Sequence, residues 1–150
     1  MTDFTLVPAI AADFDDLLWL RLRAMRASLE ALGRYDPMRA RQRFVDNFKP
    51  EYCHHIVVNG HRIGCVAVRP EGEGLQLDML YIHPSKQGQG WGTRVLQYIN
   101  EQADRDGKSI KVEVLKGSPA NAFYQQHGYM HQYDGEWDHY YLRQPARMAA

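Results

Sequence analysis

The first third of the chain places apolar residues at helical spacing in two stretches. The first stretch begins at Asp13, which we expect to cap a helix that runs through about residue 32 and ends at Gly33. The second begins at Asp36-Pro37, where a capping residue precedes a proline at the first helical position. A short strand over Thr5–Pro8 precedes both. The pattern therefore predicts a strand followed by two helices.

Alternating or extended apolar segments follow from residue 55 onward. Two strands, over residues 55–58 and 62–69, are joined by Asn59-Gly60, a strong two-residue hairpin signal. A third strand covers residues 75–83, and its successive side chains point to opposite faces. The pattern then predicts a helix over residues 90–106 that ends at Gly107.

The last part of the chain continues with short elements. We expect a strand over residues 109–115, a helix over 119–126, and a hairpin of 130–133 with 137–142 around Asp134-Gly135. The last few residues are predicted to be frayed. This order predicts an α/β fold with a mixed central β-sheet flanked by helices on both faces. Such an architecture alone names no function.

Composition limits the classes of protein that the chain can belong to. Its 150 residues predict one domain over 1–150, and 45% hydrophobic with 24% charged residues is typical of a globular protein. Lysine plus arginine and aspartate plus glutamate number 18 each, so we expect no nucleic-acid partner. Without a secretory pattern or a run of about 18 apolar residues, we expect no membrane partner and a cytoplasmic location. In that compartment Cys53 and Cys65 are predicted to be reduced thiols in or near the core.

One local charge imbalance stands out against this balance. Seven arginines lie between positions 21 and 43, where the acidic residues are Glu30 and Asp36. One interpretation is a solvated helix face whose arginines pair with acids elsewhere. The other is a cleft wall that prefers a carboxylate or phosphate on a substrate.

The segment with the clearest chemistry is Ile82-His83-Pro84-Ser85-Lys86-Gln87-Gly88-Gln89-Gly90-Trp91-Gly92-Thr93, between a predicted strand and a predicted helix. Backbone N–H groups and the positive end of the helix dipole converge there, and glycines let a phosphate approach the backbone. A P-loop needs a lysine after the glycines, and a dinucleotide fingerprint needs a glycine at Thr93. A plain tight turn remains the structural alternative.

Two motifs in this part of the chain resemble those of the GCN5-related N-acetyltransferases (GNAT). Gln87, Gly90 and Gly92 match the family signature Q/R-x-x-G-x-G/A. The second motif, A-x-x-F-Y-x-x-x-G-F/Y, is matched by Ala120, Phe123, Tyr124, Gly128 and Tyr129. The resemblance covers residues 75–129. It departs from the family at Gly117, where an asparagine is common, and Asn121 is expected to supply that amide instead.

The resemblance implies a GNAT (acyl-CoA N-acyltransferase) fold and acetyl-CoA as the co-substrate. The loop amides would hold the CoA pyrophosphate, and the strand before the loop would bind the pantetheine arm. Backbone at Leu80 would also polarise the thioester carbonyl. The cofactor-binding residues implied in this way are Leu80, Tyr81, Ile82, Gln87, Gly88, Gln89, Gly90, Trp91, Gly92, Thr93, Asn121, Phe123 and Tyr124.

The catalytic residues follow from the same resemblance and from the chemistry of acyl transfer. Tyr124 is the expected general acid that protonates the CoA thiolate. Some family members carry a glutamate base at the position of Gln76, so we expect Asp78, two residues along on the same face, to be the base. His83 is an alternative with a suitable intrinsic pKa, and a water chain without a dedicated base is another.

The expected reaction is direct attack, in a ternary complex, by a primary amine of a small molecule or peptide. The family places its acceptor between the first two helices and the C-terminal hairpin, where candidate lining residues are Trp19, Arg23, Arg26, Trp137, His139 and Tyr140. Alternatives are a non-catalytic module that binds or senses acyl-CoA, a longer acyl donor, a hydroxyl acceptor, and modification of RNA or the ribosome. The sequence leaves a homodimer open.

We expect no metal site. His54 and His55 are adjacent on a strand and point to opposite faces, and no predicted helix carries two histidines at the i, i+4 spacing. The two cysteines form no C-x-x-C pair.

Overall fold

The structure, a computed structural model, describes residues 3–146. Its elements are β1 Thr5–Pro8, α1 Phe14–Ala31, α2 Pro37–Asn47, β2 Cys53–Val58, β3 His61–Glu71, β4 Gly74–Ile82, α3 Trp91–Arg105, β5 Ile110–Leu115, α4 Ala120–Gln126, β6 Met130–Asp134 and β7 Asp138–Arg143. Every predicted helix and strand is present. Single 3₁₀ turns at Ala11–Asp13, Pro50–Tyr52 and Pro84–Lys86 were not predicted. The chain end predicted to be frayed lies outside the described residues.

The strands form a seven-stranded mixed sheet in the order β1-β2-β3-β4-β5-β7-β6. β4 and β5 run parallel, paired through Leu75–Ile110, Gln76–Lys111 and Leu77–Val112, with α3 as the crossover that a parallel pair requires. The pairs β1–β2, β2–β3, β5–β7 and β6–β7 are antiparallel. Asn59 (φ 51°) and Gly60 (φ 77°) make the predicted β2–β3 turn, in the left-handed conformation that a type I′ turn needs. The predicted mixed α/β sheet is confirmed.

The chain divides into two compact units. The first contains the described residues up to Ala67 together with Met79–Gly92, and the second contains Val68–Asp78 with the described residues from Thr93 onward. The core of the first unit is formed by buried residues of α1, α2, β2, β3 and β4: Leu17, Leu18, Leu20, Phe44, Cys53, Cys65, Ala67 and Met79, with Ala9 before α1. In the second unit, buried residues alternate along β5 as expected for a strand with one buried face. The single domain over 1–150 stays a prediction.

No helix within residues 3–146 combines the length and the apolar character needed to cross a lipid bilayer.

Asp13 does not cap α1 with its side chain, contrary to the prediction. Its carboxylate lies buried, accepts the N–H of Ile10 (2.9 Å), and contacts Nε2 of His55 (2.9 Å) and the guanidinium of Arg62 (3.2 Å). The hydrogen bond with His55, followed by that from Ile10, lowers the pKa of Asp13 from 3.8 to about 2. The carboxylate of Asp13 therefore links the start of α1 to β2 through His55 and to β3 through Arg62.

Cys53 and Cys65 are free thiols that are buried in the core of the first unit, as predicted. They lie on neighbouring strands, with Cys53 opposite Ala67 and Cys65 opposite His55. A hydrogen bond with Cys53, together with burial, raises the pKa of the Cys65 thiol. Because the thiolate is the reactive form, Cys65 is suited to packing and not to chemistry.

Replacing Asp13 should test the importance of this buried carboxylate. We expect Asp13→Asn to lower the free energy of unfolding at pH 7 by about 1–3 kcal/mol, because a buried acceptor of hydrogen bonds is lost. The stabilisation is present above the unfolded pKa of 3.8 and is lost as the pH falls toward about 2, so the difference between variant and parent should shrink over that range. Urea denaturation at several pH values measures it.

Asp15→Asn is the matched control. The Asp15 side chain is 81% exposed and its ion pair with Arg41 spans 3.2 Å. We expect a change within about 0.5 kcal/mol, as is usual for surface pairs. Equal effects of the two substitutions would contradict the role assigned to Asp13.

Candidate functional site

The loop from Gln87 to Gly90 connects β4 to α3 through exposed residues that follow the 3₁₀ turn Pro84–Lys86. Gly88 (φ 78°) and Gly90 (φ 85°) adopt the left-handed conformation that side chains disfavour. A Cβ built on either glycine would meet no atom within 4 Å. Both glycines therefore have open space at the position of a Cβ, which a side chain would fill.

The amides of this loop are available to an anion. Within residues 3–146, the N–H groups of Gln87, Gly88, Gln89 and Gly90 donate to no protein acceptor. They precede the N terminus of α3, a 15-residue helix whose dipole adds positive potential there. The arrangement fits a phosphate or pyrophosphate.

Side chains hold the loop in shape and leave its amides free. The side-chain amide of Gln87 donates to the carbonyl of Ile82 (2.9 Å), and the Trp91 indole donates to the side-chain oxygen of Gln89 (3.3 Å). His83 Nδ1 accepts the N–H of Ser85 (3.1 Å), and its ring stacks on Trp19 with centroids 5.4 Å apart. These bonds explain why the glycines are flanked by glutamines and a histidine.

A cavity of about 200 Å³ lies beside the loop, lined by Val58, Asn59, His61, Ile63, Lys86, Gln89 and Trp91. Its ionisable lining residues are Lys86 and His61, and it has no acidic lining residue within the described part of the chain. A second cavity, of about 250 Å³, lies along α1 next to His83 and includes Trp19, His55 and Arg62. Both cavities belong to the first unit, and the first has the charge that a phosphate requires.

Leu80, Tyr81 and Ile82 form the end of β4, beyond the segment that pairs with β5. The phenol of Tyr81 accepts a hydrogen bond from Arg21 (3.3 Å) and lies 3.5 Å from the sulfur of Met25. A Cβ on Gly64 would overlap the carbonyl oxygen of Tyr81, so the glycine permits the close approach of β3 to this part of β4.

Tyr124 lies on α4 and is buried, with 6% of its surface exposed. Its ring contacts those of Phe123 and Tyr129 at centroid distances of 5.2 and 5.3 Å. Tyr129 in turn donates to Asn100 of α3 (2.8 Å), and burial raises its own pKa. The position of Tyr124 is therefore fixed by packing on both sides of its ring.

Asn121 is held by three hydrogen bonds within the second unit. Its amide nitrogen donates to the carbonyls of Leu115 and Ser118 (2.9 Å each), and its oxygen accepts the phenol of Tyr141 (2.7 Å). Both amide hydrogens are therefore committed. The geometry favours a role in orienting α4 against β5 and β7, and the predicted contact with the cofactor stays a prediction.

A row of polar side chains crosses the sheet at Asp78 of β4. Asp78 accepts a hydrogen bond from Arg69 (2.7 Å), which also pairs with Glu71. The parallel register, extended one residue beyond Leu77–Val112, places Glu113 of β5 beside Asp78, and Tyr140 of β7 faces Glu113. Partial desolvation by the neighbouring strands, then the charges of Asp138 and Asp78, raise the pKa of Glu113, although its side chain still reaches solvent.

The sequence analysis missed Glu113. Its signal was the alternation along β5, where Lys111 and Glu113 are the exposed residues between buried ones. Only the parallel register with β4 makes Glu113 a neighbour of Asp78. A carboxyl with a raised pKa is a better proton acceptor at neutral pH than an ordinary one.

The arginine-rich segment has mostly ordinary partners. Arg26 pairs with Glu30 (2.7 Å), and Arg41 pairs with Asp15 (3.2 Å). Arg23, Arg39 and Arg43 are also exposed. These contacts favour the interpretation of a solvated helix face.

The open loop of backbone amides, placed between a strand and a helix of a mixed sheet, agrees with the pyrophosphate-binding loop that the resemblance to coenzyme A-dependent acyltransferases implies. A model of the acetyltransferase (GNAT) domain matches residues 50–131, which is more than half of the 150 residues. The chain therefore belongs to the GNAT acetyltransferase family. No curated protein sequence matches it significantly.

Solved structures agree with this fold. The PaiA N-acetyltransferase from Thermoplasma acidophilum, in complex with coenzyme A, superposes with a TM-score of 0.75 at 12% identity, over 95% of this chain and 99% of that one. The ribosomal-protein-S18-alanine N-acetyltransferase from Escherichia coli gives 0.67 at 15%, over 99% and 97%. N-acetylglutamate synthase from Neisseria gonorrhoeae, complexed with coenzyme A and N-acetyl-glutamate, gives 0.66 at 16%, over 98% and 36%. The predicted GNAT fold is confirmed.

The raised pKa of Glu113 predicts a pH-dependent cost to stability. Because the folded state binds this proton more tightly than the unfolded state, stability falls as the pH rises from about 4.5 through the folded pKa. Glu113→Gln removes that cost. The melting temperature of the variant, relative to the parent, should rise by roughly 1–2 °C between pH 4 and pH 8.

Thermal melts followed by circular dichroism at both pH values measure the difference. Glu101→Gln removes an exposed carboxyl from α3 and controls for the loss of one negative charge. If Glu113→Gln gave a difference that fell or stayed constant with pH, the environment assigned to Glu113 would be wrong.

Proposed function

We propose that the chain transfers the acetyl group of acetyl-CoA to a primary amine of a small molecule or peptide, by direct attack in a ternary complex. The observation that carries the proposal is the loop before α3, whose two glycines are left-handed and whose four backbone N–H groups donate to no acceptor in the described part of the chain. Family membership and the coenzyme A named with two of the similar structures support it. The proposal keeps one GNAT domain over residues 1–150 and a cytoplasmic location.

In this proposal the backbone of residues 87–92 binds the CoA pyrophosphate. Lys86, which lines the cavity beside the loop, adds positive charge for a phosphate. Backbone groups of residues 80–82 bind the pantetheine arm, since β4 continues beyond its pairing with β5. Because these contacts come from the backbone, they depend on the loop's conformation more than on its side chains.

The proposed reaction forms a bond between the acceptor nitrogen and the thioester carbonyl carbon and breaks the bond between that carbon and sulfur. Tyr124 donates its phenolic proton to the departing sulfur; a phenol is protonated at neutral pH and a thiol has a pKa near 8.5. The proton lost by the amine passes to the carboxylates of Asp78 and Glu113, directly or through water. Glu113 is the better acceptor because Arg69 binds Asp78.

The acceptor is proposed to carry a positive charge near the reacting nitrogen. Asp78, Glu113 and Tyr140 line one face of the strands, and carboxylates attract an ammonium group. The arginines of α1 and α2 give weaker support to an anionic acceptor, since several already pair with acids. N-acetyl-glutamate and a ribosomal protein are named with similar structures. Free-thiol release with a panel of amines identifies the acceptor of this chain.

Gly90→Ala should weaken the binding of coenzyme A by about tenfold or more, which corresponds to the loss of one hydrogen bond to a charged group. The added Cβ occupies the open side of the loop and disfavours φ 85°. Isothermal titration calorimetry with coenzyme A measures the effect. If the parent protein gave no heat and no thermal shift with coenzyme A, the proposed function would fail.

Gly107→Ala is the matched control for this substitution. Gly107 (φ 64°) follows the other end of α3 and also has open space at the position of a Cβ. Both substitutions should lower stability by a similar amount, about 1–2 kcal/mol, and Gly107→Ala should leave the affinity for coenzyme A unchanged. Equal losses of affinity would assign the effect to strain and not to the loop.

Tyr124→Phe should slow acetyl transfer on the order of 100-fold, the lower end of the range for general acid catalysis, and leave coenzyme A binding intact. The parent should release free thiol from acetyl-CoA with at least one member of a panel of small amines, amino acids and peptides. Tyr98→Phe, on exposed α3 surface, controls for the loss of a phenol.

The same assay separates the enzyme from the alternative of an acyl-CoA sensor. A protein that binds coenzyme A and releases thiol with no acceptor in the panel would favour the sensor. If the parent is active and Tyr124→Phe keeps full activity, the role of Tyr124 as general acid is contradicted, and the proposed acetyl transfer is not.

A further inference from the structure

The β6–β7 hairpin gathers two imidazoles around one carboxylate. Oδ1 of Asp134 lies 2.6 Å from Nε2 of His131 and 2.6 Å from Nδ1 of His139. One ligand atom of each residue lies within 4.8 Å of the others.

An irregularity in the strand pairing brings these residues to one face. His131 is paired with Tyr141 and Asp134 with His139, but the register shifts between His131 and Tyr133. In a regular strand, residues three apart point to opposite faces. The extra residue, Gln132, lets His131 and Asp134 point to the same side, beside His139 and Tyr141.

We propose that His131, Asp134 and His139 bind a zinc ion through two imidazole nitrogens and one carboxylate oxygen. Such mixed ligands favour zinc and related transition metals, whereas calcium and magnesium require several oxygens. Water occupies the fourth position, because His131 and Asp134 are exposed. Ligands about 2.0 Å from the ion lie about 3.3 Å apart in a tetrahedron, so each of the two hydrogen bonds has to lengthen from 2.6 Å by about 0.7 Å when the ion binds.

This proposal departs from the prediction of no metal. That prediction considered adjacent histidines, helical spacing and C-x-x-C pairs. The proposed ligands lie at positions 131, 134 and 139, a spacing without meaning until a hairpin with an extra residue is known. Tyr141, the next residue on this face, already donates to Asn121 and is not counted as a ligand.

The test titrates the complete, tag-free protein with zinc chloride by isothermal calorimetry and with cobalt(II) by visible absorption. We expect one ion per chain and the absorption of a four-coordinate cobalt centre with nitrogen and oxygen ligands. A cobalt spectrum with thiolate charge transfer would place the ion on cysteines and overturn the proposal. Absence of saturable binding would overturn it as well.

Substitutions identify the ligands. His139→Ala and the conservative Asp134→Asn should each weaken zinc binding at least tenfold, since even partners of metal ligands contribute about 10- to 100-fold. His61→Ala, an exposed histidine of β3, should bind zinc as the parent does. Circular dichroism of each apo variant checks that the hairpin folds. Zinc binding of parental strength in a folded Asp134→Asn or His139→Ala variant contradicts the site.

Discussion

The backbone conformation of the loop between β4 and α3 is the constraint on which the proposed chemistry depends. Four consecutive N–H groups have no partner among residues 3–146 because the chain turns through two glycines in the left-handed region. An L side chain at either glycine would both strain the backbone and fill the open space. The side chain of Gln87 donates to the carbonyl of Ile82 at the end of β4, and that of Gln89 accepts the Trp91 indole at the start of α3. The dipole of α3 adds positive potential at the loop.

A ligand site built from backbone groups is compatible with many sequences, and the similar structures share the fold at 12–16% identity. A phosphate that is bound by backbone amides constrains conformation, and conformation requires only a few glycines. In the proposed reaction, the acceptor and proton chemistry depend on side chains such as those of Asp78, Glu113 and Tyr140, which can change without disturbing the loop. Similarity of fold therefore says little about the acceptor.

Much of the fold followed from local patterns. Asn59-Gly60 predicts its turn because both residues must adopt positive φ, and that preference depends on the two residues themselves. The same holds for Asp36-Pro37, where Asp36 does accept the N–H of Arg39 (3.2 Å) at the start of α2. The glycines of the loop were also recognisable, because the required conformation is local.

What could not be predicted depends on which strands become neighbours. Asp13 looked like a helix cap, and it became a buried partner of His55, 42 residues away, once β2 was placed beside the start of α1. Glu113 gained its neighbour Asp78 through a parallel register that no short motif encodes.

In the β6–β7 hairpin, the positions of the proposed metal ligands depend on the strand register. With regular pairing, His131 and Asp134 would point to opposite faces, and the two histidines could not share one carboxylate. The extra residue Gln132 thus decides whether the hairpin presents a cluster of ligands or isolated polar side chains. A bulge of this kind changes the face to which a side chain points, so the same residues in a regular strand would not form a cluster of ligands.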